Sequence, residues 1–284
     1  MKNILLLFCF IAHFIGDYYL QSKHLSKIKD NVFRGVIQHS FLYCIPFLLL
    51  WLFLGLDEVI GYAFLGVCMI HLIIDSIKFL YKTRIIKRIK NKSFIINERT
   101  LYVVDQSIHL ISIMIICFIN RSVLINPLFP LEAFLRYINI DTHQFFQWIL
   151  LLLIIGKPIN ISFKKLFTGL KPSDSVFSQY NSSEVKLKAA TIDNAMEWNK
   201  IPIPILGIEE RNAGQYIGLL ERILIVIFLS IGQYASIGFI MTAKSIARYD
   251  KISKSQEFAE YYLIGTLASL ISALITYFFI FSLL

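Results

Sequence analysis

The sequence predicts an all-α, polytopic transmembrane helical bundle with one cytoplasmic insert. Hydrophobic residues occupy 56% of its 284 positions, and the mean hydropathy is +0.64, far above that of ordinary soluble domains. Several apolar runs approach the roughly 20 residues that a helix needs to cross a hydrocarbon core. They lack the short alternating segments of a membrane barrel. These observations together indicate a multi-pass helical protein.

Apolar periodicity predicts about eight helices, with a range of seven to eight. They are expected at 3–21, 36–56, 58–81, 101–125, 143–162, 214–232, 233–250 and 258–283. The fifth is interrupted by GKPINIS, and the seventh is short and polar at its end. The chain is thereby divided into a four-helix bundle (1–125), an outer connection with the fifth helix (126–162), an insert (163–212) and a three-helix segment (213–284).

Loop charges predict the orientation of the helices. The loops 22–35 and 82–100 are rich in Lys and Arg, whereas the turn at Asp57 and Glu58 has no basic residue. Positively charged loops stay in the cytoplasm, which places both basic loops and the insert inside and both termini outside. The net charge of +9 therefore reflects membrane orientation, and no nucleic-acid partner is expected.

The insert 163–212 mixes Ser, Asn, Asp and Lys and ends in IPIPILG, whose prolines forbid a regular helix. One short helix is expected around Glu184–Trp198. The insert is also a candidate docking segment for a cytoplasmic protein partner. The cysteines lie in apolar segments without metal-type spacing, so we expect buried apolar side chains; they are Cys9, Cys44, Cys68 and Cys117.

Ionisable residues recur inside the first four predicted helices. Such groups are costly in a membrane and are functional candidates by default. They form pairs four residues apart, so that both side chains of a pair share one helix face. The set consists of His13 with Asp17, His71 with Asp75, Asp105 with His109, and His39 on the second helix. Gln21 and Lys78 extend two of these faces by one turn.

The predicted orientation brings all of these groups to one depth. Asp17, for example, falls about 6 Å from the cytoplasmic end of its helix at 1.5 Å per residue. Short connections favour neighbouring packing of the four helices, which would gather four histidines and three aspartates. Imidazole nitrogens and carboxylate oxygens suit Zn²⁺, Mn²⁺ or Fe²⁺. We therefore expect one or two divalent ions, zinc or manganese, near the cytoplasmic leaflet.

A metal-bound water at headgroup depth can attack a phosphate or carboxylic ester, so the leading expectation is hydrolysis of a phosphate-containing lipid or lipid-linked substrate. The expected metal ligands are His13, Asp17, His39, His71, Asp75, Asp105 and His109. Asp17, Asp75 and Asp105 are also the candidate bases, and Gln21 and Lys78 the candidate substrate contacts.

Three other interpretations stay open. The same residues suit a metal- or proton-coupled transporter or channel, or hydrogen bonding that only joins helices. The chain can also be a non-enzymatic subunit that docks a partner. The outer halves of the first four helices are almost purely apolar, which favours a blind pocket over a transport pathway.

A second polar set lies in the C-terminal third. Glu221 sits near mid-membrane and would be costly unpaired, so an ion pair with Lys244 or Arg248 is expected. Alternatively, a substrate phosphate is held by Arg222, Lys244 or Arg248. These three residues and Glu221 are therefore candidates for substrate binding. His24 and His143 are expected to be solvated.

Seven segments of the chain share a pattern with a known family: HFIGDYYLQSKHLSKIKDN, QHSFLY, HLIIDSIK, DQSIHL and the tail segments IGLLERILIV, AKSIARY and AEYYLIGTL. Together they resemble the bacterial membrane proteins catalogued as domain of unknown function 3307. The resemblance covers nearly the whole chain apart from the insert. It implies a multi-pass protein of the bacterial cytoplasmic (inner) membrane.

A weaker similarity concerns GVCMIHLIIDSIK and QHSFLY. These segments are similar to the G-x-x-x-H-x-x-x-D and T-H-S segments of inner-membrane metal-dependent hydrolases related to the YdjM-type proteins. The similarity implies that His39, His71 and Asp75 are metal ligands. The chain departs from the pattern at Val67, where the glycine is expected, and at Gln38, which replaces the threonine.

Overall fold

A computed structural model describes residues 4–85, 97–120, 129–167 and 210–284. Every regular element in these ranges is helical, which confirms the all-α class. The helices are α1 (Ile4–Phe14, continued by a π-helical turn Ile15–Tyr19), α2 (Lys23–Asn31), α3 (Phe33–Phe53), α4 (Glu58–Leu80, continued by a π-helical turn Tyr81–Ile85), α5 (Glu98–Ile119), α6 (Phe129–Tyr137), α7 (Thr142–Ile155), α8 (Lys157–Leu166), α9 (Glu210–Ser230), α10 (Tyr234–Ile246), α11 (Tyr249–Lys254) and α12 (Gln256–Leu283).

Five helices of the described chain are long and apolar enough to cross a membrane: Phe33–Phe53, Glu58–Arg84, Glu98–Ile119, Thr142–Leu166 and Gln256–Ser282. A sixth span results if Ile4–Tyr19 and Lys23–Asn31, which meet at 86°, are counted as one broken span. Large apolar side chains such as Phe41 and Tyr62, each 72% exposed, cover their outer faces, as expected for lipid contact. These features fit a multi-pass membrane protein.

The predicted number of eight spans is not confirmed. Two of the expected spans correspond to α9 and α10, which lack the combination of length and apolar character needed for a crossing. α10 has 13 residues and is about 20 Å long at 1.5 Å per residue, too short for a hydrocarbon core of about 30 Å. α9 carries Glu221 and Arg222 in its middle.

The described residues of the ranges 1–166 and 272–284 form the first of two compact units. In it, α1, α3, α4 and α5 pack as a closed ring, in which α1 contacts α3 and α5, and α4 contacts the same two helices. Only residues 54–57 join α3 to α4, and so short a connection favours the packing of these two helices as neighbours. α7 packs on the outside of α1, where the rings of Phe8 and Phe146 meet edge to face at 4.7 Å.

Local sequence signals determine how α2 and α4 begin. The Ser22 hydroxyl caps α2 by accepting a hydrogen bond from the Leu25 amide at 3.1 Å. The Asp57 carboxylate caps α4 through the Ile60 amide at 2.9 Å. α2 then runs across the end of the bundle and packs against α3 and α4.

The described residues between 167 and 271 belong to the second unit, in which α9 packs against α10. The expected ion pair is present there, with Lys244 Nζ 2.5 Å from Glu221 Oε2. The helix expected at Glu184–Trp198 lies outside the described residues, as do most of the insert 163–212 and most of the basic loop 82–100.

Candidate metal centre

Two histidines face each other inside the ring of α1, α3, α4 and α5. His39 of α3 and His71 of α4 place their Nε2 atoms 3.1 Å apart, and both side chains are at most 1% exposed. Two nitrogens bound to one tetrahedral ion, with bonds of about 2.05 Å, would be roughly 3.3 Å apart. The pair therefore has the spacing of two ligands of one ion.

Two carboxylates complete this cluster of donor atoms. Asp17 Oδ1 lies 3.2 Å from His39 Nε2, while Asp75 Oδ2 lies 3.6 Å from His39 Nε2 and 3.3 Å from His71 Nε2. An imidazole nitrogen carries at most one hydrogen, so His39 Nε2 cannot bond all three of its neighbours. A cation between these atoms would satisfy them together.

Two groups of three side chains have donor atoms within 4.8 Å of one another: Asp17, His39 and His71, and then His71, Asp75 and His109. Each group offers two imidazole nitrogens and one carboxylate oxygen, a ligand set that catalytic zinc uses. All five side chains are buried.

Several buried atoms around the two groups lack a hydrogen-bond partner within the described part of the chain. They are His13 Nε2, His39 Nδ1, His71 Nδ1, His109 Nε2, Asp75 Oδ1 and Asp105 Oδ1. Buried polar atoms are seldom left unsatisfied, because each one costs free energy. These atoms fit the interpretation that the cluster receives a cation and its bound water.

A π-helical turn determines the position of Asp17. Asp17 lies in the turn Ile15–Tyr19, and isolated π turns inside helices are frequent at functional sites. Gly16, beside it, lies against α3, where a Cβ would come within 2.8 Å of Tyr43 Cδ2 and 3.1 Å of the Tyr43 backbone. The close approach of α1 to α3 therefore depends on glycine at this position.

His13 lies beside the two groups and belongs to neither. Its Nδ1 is 3.0 Å from the Tyr43 hydroxyl, and its ring stacks near that of His109 at 5.9 Å. Tyr43, which the sequence analysis did not single out, also stacks on His71. The sequence indicates its place in the site, because Tyr43 follows His39 by four residues and so lies on the same face of the helix.

Asp105 is likewise outside both groups. Its Oδ2 accepts a hydrogen bond from Lys78 Nζ at 2.6 Å, so the structure pairs an expected base with an expected substrate contact. His109 Nδ1 lies 2.8 Å from the Asp105 backbone oxygen, which leaves Nε2 as the nitrogen available to an ion. The proposed roles of Asp105 and Lys78 stay predictions.

Lys29 is a second residue that the sequence analysis missed, because it was counted only among the charges that set orientation. Its Nζ lies 2.6 Å from Asp75 Oδ2, and the lysine side chain is 11% exposed. The sequence did contain an indication that residues 23–31 form a packed helix and not a loop, namely the Ser22 cap and the amphipathic pattern that follows it. Gly35 permits this contact, since a Cβ there would lie 2.6 Å from the Lys29 backbone nitrogen.

Asp17 is oriented by a chain of hydrogen bonds. Gln106 Nε2 donates to Asp17 Oδ2 at 3.0 Å, and the Tyr18 hydroxyl donates to Gln106 Oε1 at 2.8 Å. Tyr18 also bonds Tyr102 at 2.9 Å, and Tyr102 bonds Ser162 of α8 at 2.8 Å. Outer partners of this kind hold a metal ligand in its binding orientation.

The remaining candidates lie elsewhere. Gln21 is half-buried, and its backbone oxygen accepts a 3.5 Å hydrogen bond from Lys157 Nζ. In the second unit Lys244 pairs with Glu221, Arg222 is 1% exposed and Arg248 is exposed. The ion pairing is confirmed, and the substrate-binding role of these four residues stays a prediction.

The two histidines that were expected to be solvated differ. His24 is exposed, as expected, whereas His143 is only 7% exposed. The expectation for His143 was wrong because it lies at the start of α7, where that helix packs against α1 and α6. The cysteines are free thiols, and three of them are buried.

Comparison with known proteins identifies the region that holds the centre. Residues 5–133 match the family described as Protein of unknown function (DUF3307), which confirms that resemblance over this range and leaves the tail segments outside it. No curated protein and no solved structure matches the chain, so the similarity to YdjM-type hydrolases stays an expectation. Every residue of the two donor groups lies within residues 5–133, the part of the chain that is similar to this family.

Proposed function

We propose that this multi-pass membrane protein binds a divalent metal ion, zinc or manganese, and hydrolyses a phosphate-containing lipid or lipid-linked substrate. The observation that carries the proposal is the convergence of Asp17, His39 and His71. These side chains come from three different chain segments and are buried in the middle of a helical ring. Burial of donor atoms at such short distances is costly unless a cation compensates it.

The ligand count favours catalysis over a purely structural role. Three protein ligands leave a coordination position open for water, whereas structural zinc sites are closed by four. A metal in this position supplies a Lewis acid and an activated water. Asp75 is the base in this proposal, because its Oδ1 is buried without a hydrogen-bond partner in the described chain and its Oδ2 is close to both histidines.

The second group, His71, Asp75 and His109, offers a neighbouring position for an ion. A neutral imidazole nitrogen has one lone pair, so His71 Nε2 serves one ion at a time. His13 supports the centre through Tyr43. Asp105 pairs with Lys78 and lies outside both donor groups, so Asp75 is the nearer candidate base.

The surroundings of the centre favour a lipid substrate. The helices around it expose large apolar side chains, while Lys29 lies beside Asp75 of the cluster and Lys78 beside Asp105. An apolar wall with ammonium groups at one end suits acyl or prenyl chains that carry a phosphate. From the positions of the basic loops we assign this end to the cytoplasmic leaflet of a bacterial inner membrane.

Aromatic packing on one side of His71 favours a blind pocket over a transport pathway. The ring of Phe47 lies 5.2 Å from that of Tyr43 and 5.5 Å from that of Phe64. All three side chains are at most 3% exposed. Ions or protons would have to displace this packed layer in order to move further along the bundle.

Metal analysis of the purified protein tests the proposal. We expect about one zinc or manganese ion per chain in the wild type, as a three-ligand catalytic site binds one, and loss of that ion in the His71→Ala/Asp75→Ala double variant. His24→Ala, which changes an exposed histidine, is the matched control and should retain the metal. A wild-type protein without stoichiometric metal would remove the proposal.

A second measurement addresses the reaction. Vesicles that contain phosphatidylglycerol or a polyprenyl phosphate are incubated with the metal-loaded protein, and phosphate-containing products are followed. Metal-dependent turnover that the double variant lacks supports hydrolysis. Metal uptake into protein-containing vesicles without turnover would instead support the transporter.

A further inference from the structure

Lys29 reaches the centre from outside the helical ring. It lies on α2, which turns by 86° from the preceding helix and packs against α3 and α4. Its ammonium nitrogen forms an ion pair with Asp75 Oδ2 at 2.6 Å, and the Asp75 side chain is 1% exposed. Lys29 therefore neutralises a carboxylate that also belongs to a metal-capable group.

A metal ion and Lys29 compete for the same carboxylate. Asp75 Oδ2 lies 3.3 Å from His71 Nε2 and 3.6 Å from His39 Nε2, so a cation bound by these histidines is a close neighbour of that oxygen. Two positive groups at such a distance repel each other strongly in a poorly solvated site. Binding of a divalent ion must therefore weaken the contact between Lys29 and Asp75.

Charge balance indicates what the released ammonium group binds. Asp17 and Asp75 contribute two negative charges and Lys29 one positive charge, so the cluster carries one net negative charge with neutral histidines. A divalent ion changes this to one net positive charge. Lys78 and Asp105 form a neutral pair and alter neither total. Because buried net charge is unfavourable, the metal-bound state favours a partner with a single negative charge.

We propose that Lys29 is a displaceable counter-ion that becomes an anion-binding residue. Without metal it neutralises Asp75; once an ion held by Asp17, His39 and His71 lies beside that carboxylate and repels Lys29, the ammonium group binds the phosphate of a monoanionic phosphodiester next to the centre. This inference rests on the proposed function and narrows its substrate class to phosphodiesters. The flexible four-carbon side chain of lysine permits the movement.

The apolar helices around the centre favour a lipid headgroup over a free ion as the source of the phosphate. Phosphatidylglycerol carries one negative charge on a phosphodiester, and dimethyl phosphate carries the same group without acyl chains. Linkage requires that metal and anion strengthen each other's binding by the same factor. This reciprocal coupling is the property to measure.

The test measures zinc affinity of the full-length protein in a non-ionic detergent, by competition with a chelator. Each protein is measured alone, with phosphatidylglycerol, with phosphatidylcholine and with dimethyl phosphate. Wild type is compared with Lys29→Gln and Lys29→Arg. Lys27→Gln is the matched control, because Lys27 lies on the same helix, carries the same charge and is exposed.

In the wild type and in Lys27→Gln we expect phosphatidylglycerol to tighten zinc binding about tenfold, a coupling within the usual range, while phosphatidylcholine has little effect. Lys29→Gln should bind zinc more tightly than wild type without anion, because the competitor is gone, and should lose the enhancement. Lys29→Arg should keep the enhancement and bind zinc no more tightly than wild type, since arginine pairs well with carboxylates.

Each contrary result has a distinct meaning. An enhancement that Lys29→Gln retains, or weaker zinc binding by that variant without anion, overturns the role of Lys29. If Lys29→Gln does not fold, tighter zinc binding or lost enhancement in Lys29→Arg overturns it as well. Equal enhancement by dimethyl phosphate and the lipid would assign the source to free anions. A wild type that binds zinc without anion coupling removes this inference alone, whereas a wild type that binds no metal removes the proposed function too.

Discussion

The ring of Tyr43 lies flat on the ring of His71, with centroids 3.5 Å apart and an angle of 3° between the planes. The hydroxyl group of the same tyrosine is 3.0 Å from His13 Nδ1. A parallel ring at van der Waals distance limits rotation of the imidazole and so keeps Nε2 directed at His39. One residue of α3 thereby supports two histidines on α1 and α4, as outer partners do in metal sites.

Replacement of Tyr43 should weaken metal binding without removing a ligand. We expect Tyr43→Leu to reduce zinc affinity by about 10- to 100-fold, the usual effect of losing an outer partner, because His71 is then free to turn. Tyr43→Phe keeps the stacked ring and should lose less than about tenfold. Phe41→Leu is the control, since Phe41 is on the same helix and 72% exposed. Chelator competition measures the affinities, and equal losses in Leu and Phe variants would assign the effect to the hydroxyl.

Gly16→Ala should destabilise the protein, because the new methyl group would enter the space that Tyr43 fills. Overpacking of this kind costs about 1–3 kcal/mol. Gly66→Ala is a suitable control: Gly66 is a helical glycine of α4 whose Cβ would find only Ile116 Cδ1, at 3.8 Å. Thermal unfolding in detergent should show a lower midpoint for Gly16→Ala and an unchanged or higher one for Gly66→Ala. The explanation is wrong if both variants behave alike.

The sequence was sufficient to predict the helical class and the proximity of the polar pairs. Loop charges and helix length place His39, His71 and Asp75 at one depth, and these are the side chains that the structure brings within 3.6 Å of one another. Regular α-helical spacing also predicted that His13 and Asp17 would act together. In the structure Asp17 lies in a π turn and belongs to a donor group, whereas His13 belongs to neither group. No propensity rule places such a turn at Gly16.

The missed residues depend on tertiary contacts. Lys29 reads as an ordinary basic loop residue until α2 folds back across the bundle, which requires the close approach at Gly35. Lys78 was expected to face substrate, whereas the packing of α4 on α5 pairs it with Asp105. Charge patterns identify which groups lie at one level but not which acid meets which base, because that choice depends on side-chain packing.

Asp75 and Asp105 should respond differently to replacement by asparagine. Asp75→Asn removes the carboxylate that lies beside both ligand histidines, and we expect zinc affinity to fall by about 10- to 100-fold, the usual effect of losing an outer partner. Asp105→Asn leaves Lys78, 18% exposed, without its acid, and should reduce stability by up to about 3 kcal/mol with metal content unchanged. Metal analysis and unfolding separate the two outcomes. A loss of zinc affinity in Asp105→Asn equal to that in Asp75→Asn would give Asp105 the same part in the centre as Asp75.

The pair of Glu221 and Lys244 should contribute to stability and not to metal binding. The Glu221 side chain is 4% exposed and that of Lys244 is 23% exposed, so Lys244→Met leaves a buried carboxylate without its partner. We expect a loss on the order of 3 kcal/mol, reduced by the partial exposure of the lysine. The double variant Glu221→Gln/Lys244→Met should regain much of it, because no charge is then buried alone. Unfolding of the two single variants and the double variant gives the coupling energy.

Zinc content should equal that of wild type in all of these variants, since the donor groups lie in the first unit. If Lys244→Met instead unfolds like wild type and loses turnover of a phosphate-containing lipid, the lysine binds substrate and the structural interpretation of the pair is wrong.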